Sequence, residues 1–429
     1  MSVYLTHSGV PVTQRGEGLI RMSASSRSSY RVVLSAPSAW PLLATAGLAR
    51  LSMGMLGLAL VLSVHDATGS FGTAGLTLGA FALTAGVFAP VRGRLVDRVG
   101  RGSGIRLLGG SFCLVGSILL LLIATVREPA PLILVAAALG ASAPPISAAA
   151  RTAWTDVVGR GPRLSTALSL DTVTDELLSL AGPVLAGLLA ATTMPIVALA
   201  AAIGTQVIAV HSFTRVAPAT QGTRSAAPAR VRALPWHVFS VQLRLPPVLI
   251  PLFAAGIGFG IIDVAVPALA LGHGGAASAG WMLALLPAGS ALGGLVYGRR
   301  VWSSPPIIQY RWLCLALAVG FAPLPLIAAW VPLWPLLLIA GLAIAPIMVN
   351  GYLLVDRASP DGGKTEAAAW VSTANNSGVA FGSALSGLLV TRIPLTAVFM
   401  LPTVAVLAGL TATFLMHRAA PADGAIKPS

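Results

Sequence analysis

Six residues carry polar chemistry inside long apolar runs: Arg50, Asp175, Glu176, Asp263 and the adjacent pair Asn375 and Asn376. An ionisable group in such a run is costly unless it faces a cavity or a partner, so each is a candidate for holding a solute or moving a proton. Arg50 lies about eleven residues into its run and the Asp175-Glu176 pair about eight into theirs. At a rise of roughly 1.5 Å per residue these depths differ by only a few Å, so an ion pair between Arg50 and one of the acids is geometrically reasonable. Asp171 and Asp175, four apart, share a helix face, and Glu176 points elsewhere. Such a pair either locks the first half statically or serves gating and proton coupling. Asp263 has no evident partner; it suits proton pickup and release, or it is neutral and bonded to Asn375.

A second constellation is the turn Gly93-Arg94-Leu95-Val96-Asp97-Arg98-Val99-Gly100-Arg101. Gly93 is expected to permit a close helix approach and Gly100 a tight turn, where a Cβ would be costly. Asp97 is a carboxylate within an arginine run, poised for a helix N-terminus or a guanidinium.

The elements that position these groups follow from composition. The chain of 429 residues is 56% hydrophobic and 9% charged, with a mean hydropathy of +0.85, against roughly a quarter charged for a soluble domain. Forty charged residues cannot cover a water-soluble protein of this size. The apolar surface must face lipid, and the expected class is an all-α membrane protein. Its twelve apolar windows are 39–64, 71–91, 105–126, 131–151, 168–190, 194–213, 246–271, 278–298, 309–329, 332–354, 366–389 and 394–416. Each reaches the roughly 20 residues a spanning helix needs, about twice the length of a barrel strand.

The excess of 27 basic over 13 acidic residues, a net charge of +14, is a topology signal. With both termini inside, 24 of the 27 basic residues fall on the cytoplasmic side, as the positive-inside rule requires. Among them are Arg92, Arg94, Arg98, Arg101 and Arg106 between the second and third spans, and Arg151 and Arg311 at span ends. The expected location is the cytoplasmic membrane, multi-pass, with lipid as the surrounding partner, no nucleic-acid partner and a monomeric state. Trp40, Trp302, Trp312, Trp330 and Trp334 fall near span ends as interfacial anchors, and Pro144-Pro145 and Pro346 are expected to kink spans four and ten. Cys113 and Cys314 sit inside spans, which supports neither a disulfide framework nor a metal site. No nucleotide loop, metal cluster or catalytic triad is present, so no cofactor and no enzyme activity are expected.

Residues 1–37 are expected to form a disordered, polar, Ser/Arg-rich cytoplasmic tail, with Met22 as an alternative start that N-terminal sequencing would settle. The remaining boundaries are a bundle at 38–213, a linker at 214–245, a second bundle at 246–416 and a tail at 417–429. Self-similarity supports two halves. At an offset of 200, Asp175-Glu176 aligns with Asn375-Asn376 and Gly187-Leu188-Leu189 with Gly387-Leu388-Leu389; at 201, Gly140 aligns with Gly341, Pro145-Ile146 with Pro346-Ile347 and Cys113 with Cys314. Two similar halves of six helices imply a pseudo-twofold axis along the membrane normal.

The turn at 93–101 resembles the signature loop of the major facilitator superfamily, Gly-x-Leu-x-Asp-Arg-x-Gly-Arg, and Gly294-Leu295-Val296-Tyr297-Gly298-Arg299-Arg300 is a degenerate copy in the equivalent second-half loop. The resemblance implies two pseudo-symmetric six-helix bundles that alternate access to a small-molecule solute, with a cavity lined by spans one, four, five, seven, ten and eleven. It also implies a conformational switch in which Asp97 and Arg98, with Arg94 or Arg101, brace the halves against the start of span eleven, where Glu366 stands. Gly182-Pro183 followed by Gly187 is similar to the glycine-proline segment of antiporters, but the intervening Val184-Leu185-Ala186 departs from it. The mid-span arginine that many drug-proton antiporters carry in span four is absent, and Arg151 near Trp154 and Asp156 looks more like siderophore and macrolide exporters. These features point to export of an amphipathic or hydrophobic compound, with protons as candidate coupling ions. A nutrient uptake permease and a non-transporting membrane sensor are the alternatives.

Overall fold

The computed structural model describes residues 30–159, 162–216, 246–299, 302–329, 335–358 and 364–419, and nearly all of them are helical. A short helix, α1 (Tyr30–Leu34), lies within the expected tail, with Val33 fully buried. The spans of the first half follow as α2 (Ala39–Thr68), the bent pair α3 (Phe71–Val87) and α4 (Ala89–Val99), α5 (Arg101–Thr125), the broken pair α6 (Pro129–Ser142) and α7 (Ile146–Val158), α8 (Pro162–Thr192) and α9 (Pro195–Val216). The second half comprises α10 (Pro246–His273), α11 (Gly275–Arg299), α12 (Pro306–Phe321) with a 3₁₀ turn, α13 (Pro335–Gly341) with α14 (Ile344–Ala358), α15 (Lys364–Leu389) and α16 (Leu395–Ala419). Every one of the twelve sequence windows holds one of these helices or helix pairs. Among the described residues nine helices are long and apolar enough to cross a membrane, and the pair α3/α4, bent by 48°, makes a tenth.

Helix ends reach beyond the apolar windows, and this corrects several placements. Arg92, Arg94 and Arg98 stand in α4, not in a loop; the turn between spans two and three is Gly100 alone, at φ +95°. Long basic side chains extend a helix past its apolar stretch because their stems cover apolar surface while the heads leave it. Arg151 likewise lies inside α7, which continues to Val158. Arg311 is in α12, where it donates to the Thr413 carbonyl at 3.1 Å and stacks 4.3 Å over the Phe414 ring. Span four breaks at Pro144-Pro145 as expected, whereas the break in span ten precedes Pro346, between Gly341 and Ile344. Trp40, Trp302 and Trp312 are exposed; Trp330 and Trp334 lie outside the described residues, as do 217–245 of the linker. Cys113 and Cys314 are both free thiols.

The two halves repeat each other's contacts. Gly187 in α8 packs on Ala276 and Gly280 of α11, and Gly387 in α15 packs on Phe71 and Gly75 of α3. Within each half, Gly140 rests on Phe81 and Thr84, and Gly341 on Leu286 and Gly289. Without a hydrophobic drive between helices in lipid, such glycines allow the close backbone approach from which packing energy comes. The glycine contacts between the halves run from Gly72 against Gly387 to Gly86 against Asn376, and through Pro183 and Gly187 against Gly280. They therefore run from the end opposite the arginines to about the middle of span two. Toward the arginine-rich end of the first half, Trp154, Ile105 and Phe213 are fully buried beside Ala46 and Ala150 in a separate core cluster that holds α2, α5, α7 and α9 together.

Candidate functional site

Four charged residues from three spans meet inside the first half. Arg50 in α2 donates to the Asp171 carboxylate of α8 at 2.6 Å and to the Asp171 carbonyl at 3.2 Å. Its Nε also lies 3.2 Å from the Asp175 carboxylate. Arg50 and Asp171 are 2% and 1% exposed, so the pair is dry and must satisfy itself. The Trp154 indole N–H from α7 donates to the second Asp171 oxygen at 3.1 Å. Asp171 thus holds three elements together.

The outer layer of the cluster is open. Asp175 is 34% exposed, and Arg151 of α7, 53% exposed, stands 3.6 Å from Asp175 and 3.8 Å from Asp171. Those separations are ion-pair distances without a hydrogen bond, so the guanidinium of Arg151 keeps donors available to an incoming group. Formal charge within the four residues balances, two cations against two carboxylates. The expected pairing of Arg50 with Asp175 is present, but the stronger partner is Asp171. Asp171, Arg151 and Trp154 were absent from the sequence-expected cavity set; the i, i+4 spacing of Asp171 and Asp175 was the available signal for the first, and nothing short of the helix packing placed the other two.

Glu176, one residue on, is half-buried and makes no hydrogen bond or ion pair with this cluster among the described residues. In the second half, Asn375 and Asn376 replace the two acids. Asn375 sits where α15 crosses Gly256 of α10, its side-chain oxygen buried with no partner among the described residues, and Asn376 abuts Gly86 of the first half. Asp263 is half-buried in α10, also with no hydrogen-bond or ion-pair partner among the described residues. The structure does not join Asp263 to the first-half cluster: it lies seven residues, about two turns, beyond Gly256 toward the opposite end of α10.

In the signature turn, Gly100 takes the positive-φ conformation expected of a tight glycine turn. Gly93 does not mediate a close approach; a Cβ there would meet open space, because that face of α4 points away from its neighbours. Arg101, opening α5, pairs with Asp156 near the end of α7 at 2.8 Å. Asp97 and Arg98 are exposed, with no ion-pair partner among the described residues. The side chain of Glu366 lies outside the described residues, although its backbone opens α15 as expected.

At the equivalent corner of the second half, the side chains that bridge the helices are uncharged. Tyr297 donates to Gln309, Asn350 donates to the Tyr297 hydroxyl, and the Gln309 amide donates to the Ser304 carbonyl. Hydrogen bonds among uncharged groups therefore join α11, α12 and α14 where salt bridges join the first half.

A family model described as Major Facilitator Superfamily matches residues 42–362. The chain belongs to that superfamily. Solved superfamily-like structures agree with the architecture: a nucleoside transporter, NupG, in a mutant form is 12% identical, covering 88% of this chain and 99% of its own at a TM-score of 0.71. An auto-inhibited peptide transporter of the POT family is 14% identical, covering 91% and 99% at 0.67. A bacterial homologue of the iron transporter ferroportin, in an inward-facing state, is 15% identical, covering 88% and 98% at 0.64. No curated protein matches the chain. At these identities the likeness is one of fold, and it extends the superfamily architecture over both halves.

Proposed function

We propose that the protein is a secondary active transporter that exports a small amphipathic or hydrophobic compound by alternating access between its two halves. The observation that carries the reading is the charged cluster of Arg50, Asp171, Asp175 and Arg151 at membrane depth, dry on one side and partly exposed on the other. A purely structural ion pair needs no exposed second pair, and exposed charge inside a span is retained where a solute or ion must be met. At the positions matching that cluster the second half offers Asn375 and Asn376, with Asp263 further along α10, which suits a largely apolar solute better than a multiply charged one. The halves are 38–213 and 246–416, and the arginine-rich end faces the cytoplasm, where the exposed Asp97 and Arg98 await the start of α15. Transport is driven by protons, with Glu176 or Asp263 as the carrier.

Uptake of a nutrient is the second reading, favoured by the fold likeness to a nucleoside transporter. Resistance and accumulation profiling of a deletion strain separates them: drug hypersensitivity selects export, and growth failure on one nutrient selects uptake. Proton coupling is tested by solute-driven pH change in liposomes. If Asp263→Asn and Glu176→Gln both keep coupled transport, neither carries the proton.

A further inference from the structure

Arg92 belongs to neither the charged cluster nor the signature turn, which begins one residue later. The structure buries it, at 8% exposure, between two interrupted helices. One guanidinium nitrogen donates to the Gly140 carbonyl at 2.6 Å, and the other donates to the Ala85 carbonyl. Both carbonyls stand in the last turns of half-helices: Gly140 in α6, which ends at Ser142, and Ala85 in α3, which ends at Val87. Carbonyls in a last turn lack their intrahelical donors and carry the negative end of the helix dipole.

The missing donors are traceable to the sequence. A helical carbonyl accepts from the amide four residues on. For Gly140 that residue is Pro144, which has no N–H. On the other helix, Pro90 removes the donor for Gly86, next to Ala85, at the 48° bend. The Gly140 carbonyl keeps only the Ala143 N–H, at 3.3 Å, and Arg92 adds a charged donor to it and to the Ala85 carbonyl from a single planar fork, bridging the ends of two helices that prolines interrupt. Thr84 adds a neighbouring clip, its hydroxyl donating to the Ala137 carbonyl at 2.7 Å. Beyond the breaks, the Arg101–Asp156 pair ties the start of α5 to the end of α7.

The equivalent position of the second half has no such residue. The offset of 201 sets Gly293 opposite Arg92 and Ala345 opposite Pro144. There the backbone of Gly293 lies directly on the Leu342 carbonyl, leaving no room for a side chain.

We propose that Arg92 is a positioning residue that holds α4, which carries the signature turn, against the ends of both α3 and α6, so that the bend of span two and the break of span four, beyond which α7 carries Arg151 and Trp154, open and close together. The two hinges would otherwise open independently, and the charged cluster would lose its alignment with the switch loop.

The test is amide hydrogen exchange on the full-length protein in lipid nanodiscs. In Arg92→Met, the amides of 81–92 and of 137–150 are expected to exchange about ten- to a hundredfold faster together, the loss set by a charge-assisted bond at each end. The body of α5 and the second half should not change. Thr84→Val, which removes the neighbouring bond and leaves Arg92 in place, should leave the break of span four protected. Response of only one segment, of neither, or of the whole first half uniformly would overturn the proposal. If Arg92→Met does not fold, Arg92→Lys is read in its place. An ammonium lacks the fork that reaches both carbonyls, so one segment is expected to stay protected and the other to open; full protection of both would equally overturn the proposal.

Discussion

Replacing Arg50 with methionine leaves two carboxylates without their shared cation. Asp171 is 1% exposed and keeps the Trp154 donor, but Arg151, 3.8 Å away, makes no hydrogen bond to it. Removing one partner of a dry pair leaves an uncompensated charge, and the expected cost is about 3–5 kcal/mol. Asp171→Asn should cost less, about 1.5–3 kcal/mol, because the amide oxygen still accepts from Trp154 and Arg50 retains Asp175 at 3.2 Å. Asp175→Asn removes a group 34% exposed to solvent and should change stability by about 0–1 kcal/mol. The double variant Arg50→Met/Asp171→Leu, which removes both charges and keeps the volume apolar, should recover part of the single losses, since such pairs are coupled by about 0.5–3 kcal/mol. Equilibrium unfolding in mixed micelles reads all four. The order Arg50→Met, then Asp171→Asn, then Asp175→Asn is the prediction. Three equal losses, or a larger loss for Asp175→Asn than for Arg50→Met, would refute the division into a dry inner pair and an open outer one.

Gly93→Ala, in a helix and facing open space, should be neutral or stabilising by up to about 1 kcal/mol in thermal unfolding. By contrast, Gly256→Val, which would drive a branched side chain into the Asn375 carbonyl, should destabilise by about 1–3 kcal/mol in the same assay. Gly100→Ala places a Cβ at φ +95° and should cost about 1 kcal/mol. Orientation is checked with single cysteines on a Cys113→Ser/Cys314→Ser background: membrane-impermeant thiol reagent added outside intact cells should label Gly69→Cys and not Gly102→Cys.

The membrane class, the twelve windows and the twofold repeat were legible in the sequence because insertion is decided by segment-averaged apolarity, a property of each stretch alone. Arg50 and the acids of span five were legible for the same reason: a charge in an apolar run stands out. What could not be read is which faces meet. Arg92 and Arg98 look alike as basic residues near a glycine, yet one is buried on two carbonyls and the other is exposed, because only the packing of α6 against α3 brings Gly140 to Arg92. Arg151 and Trp154 looked like span-end residues because α7 outruns its apolar window by about two turns. Gly93, part of the motif, proved open, while Gly256, in no motif, sits at a close backbone crossing of α10 and α15 in the second half.

The central claim is that the two halves move against each other to carry solute. Gly72 of α3 and Leu388 of α15 face each other across the halves, within 3.9 Å of a Cβ built at Gly72. Gly72→Cys/Leu388→Cys on the cysteine-free background, cross-linked and reconstituted in proteoliposomes, would pin that end shut. Solute flux, measured with the compounds to which the deletion strain is sensitive, should vanish on cross-linking and return on reduction. Undiminished flux through the cross-linked protein would contradict alternating access between these halves.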